Sequence, residues 1–304
     1  MADEFSRIAS IEALLKRSSN QVLLGIGDDC AVLAPSSLPR VWTTDAAVED
    51  VHFSRAFMSL EQVGYRAFMA AASDVAAMGA QPVAALSALI LPAALRDAEL
   101  SALVRGLARA ADACACPIVG GNLARGRELS LTTSVLGECA GRVITRAGAQ
   151  VGDGVYVTGT LGGSALGLSS LRTGYRQAVD KYLAPRARLD VAAQLAQVAS
   201  AAIDISDGTL QDLTHLCRAS GVGARIEVDA LPLECPEAAR ARGLDPVSLA
   251  LEGGEDYELL FSAPVQVDWA IRIGTIVAGN DVQVVESDGS VRVTGRGFDH
   301  FAGS

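Results

Sequence analysis

Apolar runs of strand length alternate with segments of helical periodicity along most of the chain, and this alternation restricts the fold more than any other feature. Val83–Leu91 reads as a buried strand, residues 96–113 as a helix, Pro117–Val119 as a short strand and Leu129–Leu136 as another. The pattern restarts after a turn-rich stretch, ITRAGAQVGDG. Strand Val155–Thr158, helix Ser164–Leu171, helix Ala187–Val198, strand Ala202–Ile205, helix Thr209–Ala219 and strand Ala224–Val228 follow in order. Strands covered by helices in this way make an α/β protein, of the α+β type. With 304 residues the chain can build two cores. The turn-rich bridge places the boundary between residues 1–141 and 142–304.

Local signals refine the elements. Ile8, Ile11, Leu14 and Leu15 fall at helical spacing, which predicts a helix over residues 5–17. Arg40–Thr44 reads as a strand ending at Asp45. Ser59 is a suitable N-cap for an Ala-rich helix that Gly79 ends, with Asp74 in its last turns. A helix near Pro246–Leu251 leads into EGGEDYELLF, and Asp288-Gly289 predicts a closing hairpin.

The longest apolar stretch, Val83–Leu95, is too short to span a bilayer and contains Pro92, so it is a buried element. The N-terminal MADEFSRIAS has no basic segment followed by an apolar one, and a cytoplasmic protein is expected. Six cysteines without paired CxxC spacing are expected to be free buried thiols; Cys114-Ala-Cys116 is a weak metal signal. A net charge of −10 argues against a nucleic-acid surface. Only two lysines occur, Lys16 in a presumed surface helix and Lys181 in a polar segment before Pro185. If the chain handles phosphate, arginine, backbone amides and metal must neutralise it.

Five places share one pattern, an acidic group beside small residues at the end of an element: GIGDD (25–29), TTD (43–45), SD (73–74), IDISDG (203–208) and GGED (253–256). Each alone reads as an ordinary helix cap or turn. Together, with Gly120-Gly121-Asn122 in a sixth loop, they point to a shared site for Mg²⁺, which prefers carboxylates, hydroxyls, water and phosphate oxygens. TGTLGGSALG (158–167) lies between a strand and a helix like a phosphate cradle, but matches neither GxxxxGK[ST] nor GxGxxG. Tight packing of helix on strand accounts for it equally well. His52, beside Phe53 and seven residues after Asp45, is either a packed side chain or a substrate contact. Arg146 divides evenly between a phosphate contact and a surface charge, and His215 and His300 carry no functional signal.

Taken in order, GIGDDCAVL, TTDAAVEDVHF, SDVAAMGAQP, GGNLARG, VTGTLGGSALGL, IDISDG, GGEDYELLF and the terminal GFDHF resemble the thiamine-monophosphate kinase family of the PurM-like ATP-binding superfamily. The resemblance runs from about residue 4 to residue 301. It implies a two-domain PurM-like architecture: an N-terminal sheet-and-helix domain that dimerises through its sheet, and a C-terminal α/β domain. It also implies transfer of the ATP γ-phosphoryl group to thiamine monophosphate, the last step in making thiamine diphosphate, with several Mg²⁺ ions. By that resemblance Asp29, Thr43, Thr44, Asp45, Asp74, Asn122, Asp204 and Asp207 hold metal, with Asp45, Asp74 and Asp207 central to catalysis. Gly121, Asn122, Arg146 and Ser206 contact nucleotide, and His52, Glu255 and Phe298 face thiamine phosphate. The chain departs from the usual pattern in GGNL for GGDT, in Ala70–Ala72 before SD, and in Thr209 after IDISDG. The competing readings are another ATP-dependent branch of the superfamily, a non-catalytic nucleotide- or thiamine-phosphate-binding protein, and a metal-dependent phosphatase. Two branches lack their marks here: the first cysteine, Cys30, lies inside the metal loop, and the chain ends FDHFAGS without a cysteine.

Overall fold

The computed structural model describes residues 4–293 apart from 16, 18 and 177; Lys16, Phe298, His300 and the GFDHF segment lie outside them. The chain divides into two compact units. One holds the residues up to Val75 together with Ala80–Ala140, the other Ala76–Gly79 and the residues from Gly141 onward.

In the first unit the helices are α1 (Glu4–Leu15), α2 (Leu60–Ala77) and α3 (Asp97–Ala113). The strands are β1 (Val22–Leu24), β2 (Val32–Leu33), β3 (Arg40–Val48), β4 (Gln81–Pro92), β5 (Ile118–Gly126) and β6 (Ser130–Glu138). β1 and β2 form a hairpin, and the other four form a sheet in the order β3-β6-β4-β5. α2 starts as its sequence predicts. The Gln62 N–H donates to Ser59 Oγ at 3.3 Å while the Ser59 N–H donates to Gln62 Oε1 at 2.9 Å, closing a reciprocal cap. α2 and α3 cross closely because Gly106 lets their backbones meet; a Cβ there would lie 2.0 Å from the Glu61 carbonyl oxygen.

Side-chain alternation sorts the sheet into two faces. Val41, Thr43 and Asp45 of β3 align with Gly137, Val135 and Thr133 of β6 on the face against α2, where a Cβ on Gly137 would meet Val75 at 2.5 Å. Trp42, Thr44 and Ala46 align with Leu136, Ser134 and Thr132 on the opposite face. Two sequence expectations are corrected here. Asp45 does not end a strand but lies in the middle of nine-residue β3, and Gly120-Gly121-Asn122 is not a loop but part of β5. β3 and β5 are the two edges of the sheet, and edge strands accept the Asp and Gly residues that the interior of a sheet disfavours. Gly121 is required there, because a Cβ would stand 1.8 Å from the Ser87 carbonyl oxygen.

The second unit has helices α4 (Gly163–Thr173), α5 (Val179–Leu183), α6 (Leu189–Val198), α7 (Thr209–Ser220), α8 (Pro236–Arg240) and α9 (Pro246–Glu252). Its strands are β7 (Gly154–Val157), β8 (Ala201–Asp204), β9 (Gly223–Glu227), β10 (Leu259–Ala263), β11 (Ile271–Val277), β12 (Val282–Val285) and β13 (Val291–Val293). They form one sheet in the order β13-β12-β9-β11-β7-β10-β8. β7, β8 and β10 are buried along their whole length, which explains their mainly apolar sequences; Asp204 of β8 and Ser262 of β10 are the polar exceptions. Val155, Val157, Ile203 and Leu260 pack with Leu210, Leu213 and Leu216 of α7. Their neighbours Tyr156, Ala202 and Phe261 pack on the other side with Val191, Ala192 and Leu195 of α6. The hairpin expected at Asp288-Gly289 joins β12 to β13. β11 and α5 were not legible; α5 carries Lys181, whose ammonium bonds Thr160 Oγ1 at 3.0 Å and lies 3.5 Å from Glu234.

Of the cysteines, Cys114, Cys116, Cys139 and Cys217 are buried and Cys30 and Cys235 exposed. Cys114-Ala-Cys116 is a packing element: loss of solvent pushes the Cys114 thiol up to about 12, and its sulfur lies 3.7 Å from Met69 Sδ. Among the described residues no helix is long and apolar enough to cross a membrane.

Candidate active site

In the second unit, strand direction gathers three loops at one end of the sheet. β10 is antiparallel to both β7 and β8, with Leu259 opposite Asp204 and Leu260 opposite Val157. The C-terminal ends of β7 and β8 therefore meet the N-terminal end of β10. That juxtaposes the glycine loop after Thr158, the ISDG loop after Asp204 and the GGEDYE segment before Leu259. Backbone bonds stitch the last two together: the Ile205 N–H donates to Glu258 O at 2.8 Å, the Glu255 N–H to Ser206 O at 2.8 Å and the Tyr257 N–H to Ile205 O at 2.9 Å.

Asp204 is 4% exposed at the end of β8, while Ser206 and Asp207 are half-buried in the loop that leads into α7. The Asp207 carboxylate accepts a bond from Gln211 Nε2 at 3.3 Å. Its backbone is held by a residue that sequence reasoning missed. Asp212, 1% exposed, accepts the N–H groups of Ser206 and Asp207 through one oxygen at 3.0 and 3.1 Å. Burial pushes the Asp212 carboxyl up to about 7, with the Asp207 charge adding to the rise and the two amides and Arg146 opposing it. Arg146, exposed, is thus within electrostatic reach of the ISDG loop.

The GGEDYE segment holds two residues in the left-handed region, Glu255 at φ +67° and Tyr257 at φ +52°, each costing about 1 kcal/mol. Between them the Asp256 carboxylate accepts the N–H groups of Gly162 at 2.6 Å and Ser164 at 2.8 Å. Loss of solvent pushes the Asp256 carboxyl up to about 7 against the pull of these amides. The glycine loop therefore does not stand open as a phosphate cradle; the protein's own carboxylate occupies its amides. Glu258, 9% exposed, accepts from Thr158 Oγ1 at 2.6 Å and from Arg188 Nη1 at 2.5 Å. Asp212, Glu258 and Arg188 were absent from the sequence-based site, and Asp256 entered it only as part of the GGED cluster, with no role of its own. The acids adjoin or lie within the IDISDG and GGEDYEL motifs, which was the available signal.

In the first unit the expected residues fall on both faces of the sheet. On the face against α2, Thr43 Oγ1 donates to Asp74 Oδ2, with Asp45 two residues along the same strand. His52 follows β3; its Nδ1 accepts the Val48 N–H at 3.1 Å, and its own N–H returns to Val48 O at 2.9 Å. Thr44 lies on the opposite face. There an open groove of about 1180 Å³ is lined by Asp28, Asp29, Trp42, Leu86, Asn122 and Ser134, among others. Asp28 bonds back onto the Asp29 N–H at 2.8 Å. Thr43 and Thr44, adjacent in sequence, are separated by the pleat.

Among the described residues no group of three His, Cys, Asp or Glu side chains could enclose a metal ion. The candidate ligands are all oxygen donors and occur in small sets, such as Thr43 with Asp74 and Asp204 near Asp207. Hard oxygen donors of this type fit Mg²⁺, which is held by one or two carboxylates and completed by water and substrate phosphates.

The chain matches the family model of AIR synthase related protein, N-terminal domain, over residues 27–139, and that of the C-terminal domain over residues 150–286. A thiamine-monophosphate kinase of Salmonella typhimurium is 37% identical over 322 residues, covering 98% of each chain. One of Aquifex aeolicus is 35% identical over 312 residues, covering 98% of this chain and 99% of that one. The solved structure of AaThiL complexed with AMPPCP and TMP superposes with a TM-score of 0.81 at 35% identity, covering 98% of this chain and 97% of that one. The chain belongs to the AIR synthase related family, with its two-domain PurM-like α/β fold, and within it to the thiamine-monophosphate kinases.

Proposed function

We propose that the protein transfers the γ-phosphoryl group of ATP to thiamine monophosphate, giving thiamine diphosphate and ADP. The observation that carries this reading is the end of the β7-β10-β8 sheet. There Asp204, Ser206, Asp207 and Glu255 stand on loops bonded to one another, in a chain similar along almost its whole length to thiamine-monophosphate kinases. Phosphoryl transfer passes through a loose, in-line transition state, so the protein's work is to position two anionic groups. The acceptor is a phosphate oxygen already ionised at neutral pH, and no side chain has to remove its proton.

Asp29, Thr43, Thr44, Asp45, Asp74 and Asn122 of the first unit and Asp204 and Asp207 of the second are the proposed ligands of Mg²⁺. When bound, the metal screens the charge of the phosphates. Asn122 contributes a neutral amide oxygen. Gly121, Asn122, Arg146 and Ser206 are assigned to nucleotide, and His52 and Glu255 to thiamine phosphate. Phe298 is assigned to the same substrate and lies outside the described residues. A coupled assay tests the function: ADP release that requires both thiamine monophosphate and Mg²⁺ is expected. Binding of both substrates without turnover would make the protein a sensor, and phosphate release without ATP a phosphatase.

The proposed cytoplasmic homodimer rests on the sheet of the first unit. Its outward face exposes Trp42 (72%), Leu86 (39%) and Ile90 (41%), a large apolar surface for a protein to leave in water. A second copy of the same face covers it. Trp42→Glu is expected to convert a dimer into a monomer in sedimentation equilibrium at micromolar concentration; an unchanged dimer would place the interface elsewhere.

A further inference from the structure

Left-handed backbone at two non-glycine residues two positions apart persists only where the surroundings over-determine it. Glu255 and Tyr257 are such a pair, and their N–H groups both bond the ISDG loop. Those backbone bonds hold one side of the segment. The other side is held by the Asp256 side chain, through the N–H groups of Gly162 and Ser164 at the start of α4. A carboxylate there is favoured twice, by two charge-assisted hydrogen bonds and by the dipole of an eleven-residue helix. Gly162, at φ +78° and with a Cβ position only 2.8 Å from backbone atoms of α9, can be no other residue, so the loop cannot turn its amides elsewhere without unpacking.

We propose that Asp256 is a positioning residue for the acceptor substrate: by gripping the start of α4 it sets the backbone of Glu255, and the glycine loop serves as a brace for that carboxylate. The proposal rests on the kinase reading, in which Glu255 faces thiamine phosphate. It accounts for a glycine-rich strand-to-helix loop that matches no phosphate-binding pattern. It also separates the two acids of the ED pair, Glu255 toward ligand and Asp256 toward the fold.

Asp256→Asn keeps the shape but turns one of two acceptors into a donor facing an N–H. The expected result is a rise of about tenfold or more in KM for thiamine monophosphate, with KM for ATP and kcat changed less than about twofold. Asp245→Asn is the control, because Asp245 caps α9 in the same way, accepting from the Val247 and Ser248 N–H groups instead of those of Gly162 and Ser164. It is expected to lower Tm without moving either KM. A second measurement uses the unchanged chain, so it stands even if Asp256→Asn does not fold. Thiamine monophosphate is expected to slow hydrogen exchange at the Gly162 and Ser164 amides several-fold. A folded Asp256→Asn protein with an unaltered KM, or exchange at those amides indifferent to saturating thiamine monophosphate, would overturn the proposal. Absence of thiamine-monophosphate-dependent turnover in the unchanged chain would instead remove the kinase reading and this inference with it.

Discussion

Asp207→Asn is expected to lower kcat by about 10²–10³-fold with little loss of stability, the scale of one preorganised electrostatic contact, if the proposed role of Asp207 beside the reacting phosphates holds. The substitution keeps the shape of the side chain and removes only its charge. The fold is expected to tolerate it because the loop backbone is held through the Ser206 and Asp207 N–H groups, which donate to Asp212, and an Asn side chain can still accept from Gln211 Nε2. Removing that charge also relieves one of the two influences that push the buried Asp212 carboxyl upward. Asp45→Asn is expected to behave alike, since Asp45 sits on the edge strand β3 and its replacement leaves the backbone ladder to β6 unchanged. Steady-state kinetics at saturating Mg²⁺ and circular dichroism on the same samples check both parts. Wild-type turnover in either variant would show that the acid is a surface or capping group.

Phe261→Ala has the largest expected effect on stability, a loss of about 3–5 kcal/mol. Phe261 is fully buried, its ring centroid 5.4 Å from Tyr156 and 5.3 Å from Trp269 in two stacked contacts. It lies between Tyr156 of β7 and Ala202 of β8 in register, at the strand whose other end carries the GGEDYE segment. Urea denaturation followed by tryptophan fluorescence measures the loss. A change below about 1 kcal/mol would mean that the site collapses around the smaller side chain, contrary to the close packing of this layer.

Elements with strong apolar periodicity were legible: α2 with its Ser59 cap, the buried strands β7 and β8, the amphipathic α7 and the hairpin between β12 and β13. Each is specified by short-range rules, side-chain period and turn chemistry. The first unit's edge strands β3 and β5 were legible only at their starts, Arg40–Thr44 and Pro117–Val119. TTDAAV and GGN carry the residues of loops, and they are strands because only one flank of each needs a partner. β11, IRIGTIV, escaped for a related reason, being exposed at its first two residues and interrupted by a glycine. For the site, the acids beside glycines were visible, and so was their oxygen-donor chemistry. The groups that hold them were not. Asp256 finds its amides 92 and 94 residues away in sequence.

Residue order alone determined the α/β class, the hard-oxygen character of the candidate ligands and the motif series shared with the thiamine-monophosphate kinases. Tertiary structure decided which carboxylates brace the loops. Asp212 and Asp256 are written with the same letter as Asp207; in the structure their oxygens accept backbone N–H groups. For Asp212 this follows from the turn that folds the ISDG loop back onto the start of α7; for Asp256 it is set by the antiparallel register of β7, β10 and β8, which brings distant amides to one sheet end, and hydrogen bonds between segments so far apart leave no local trace in composition or period.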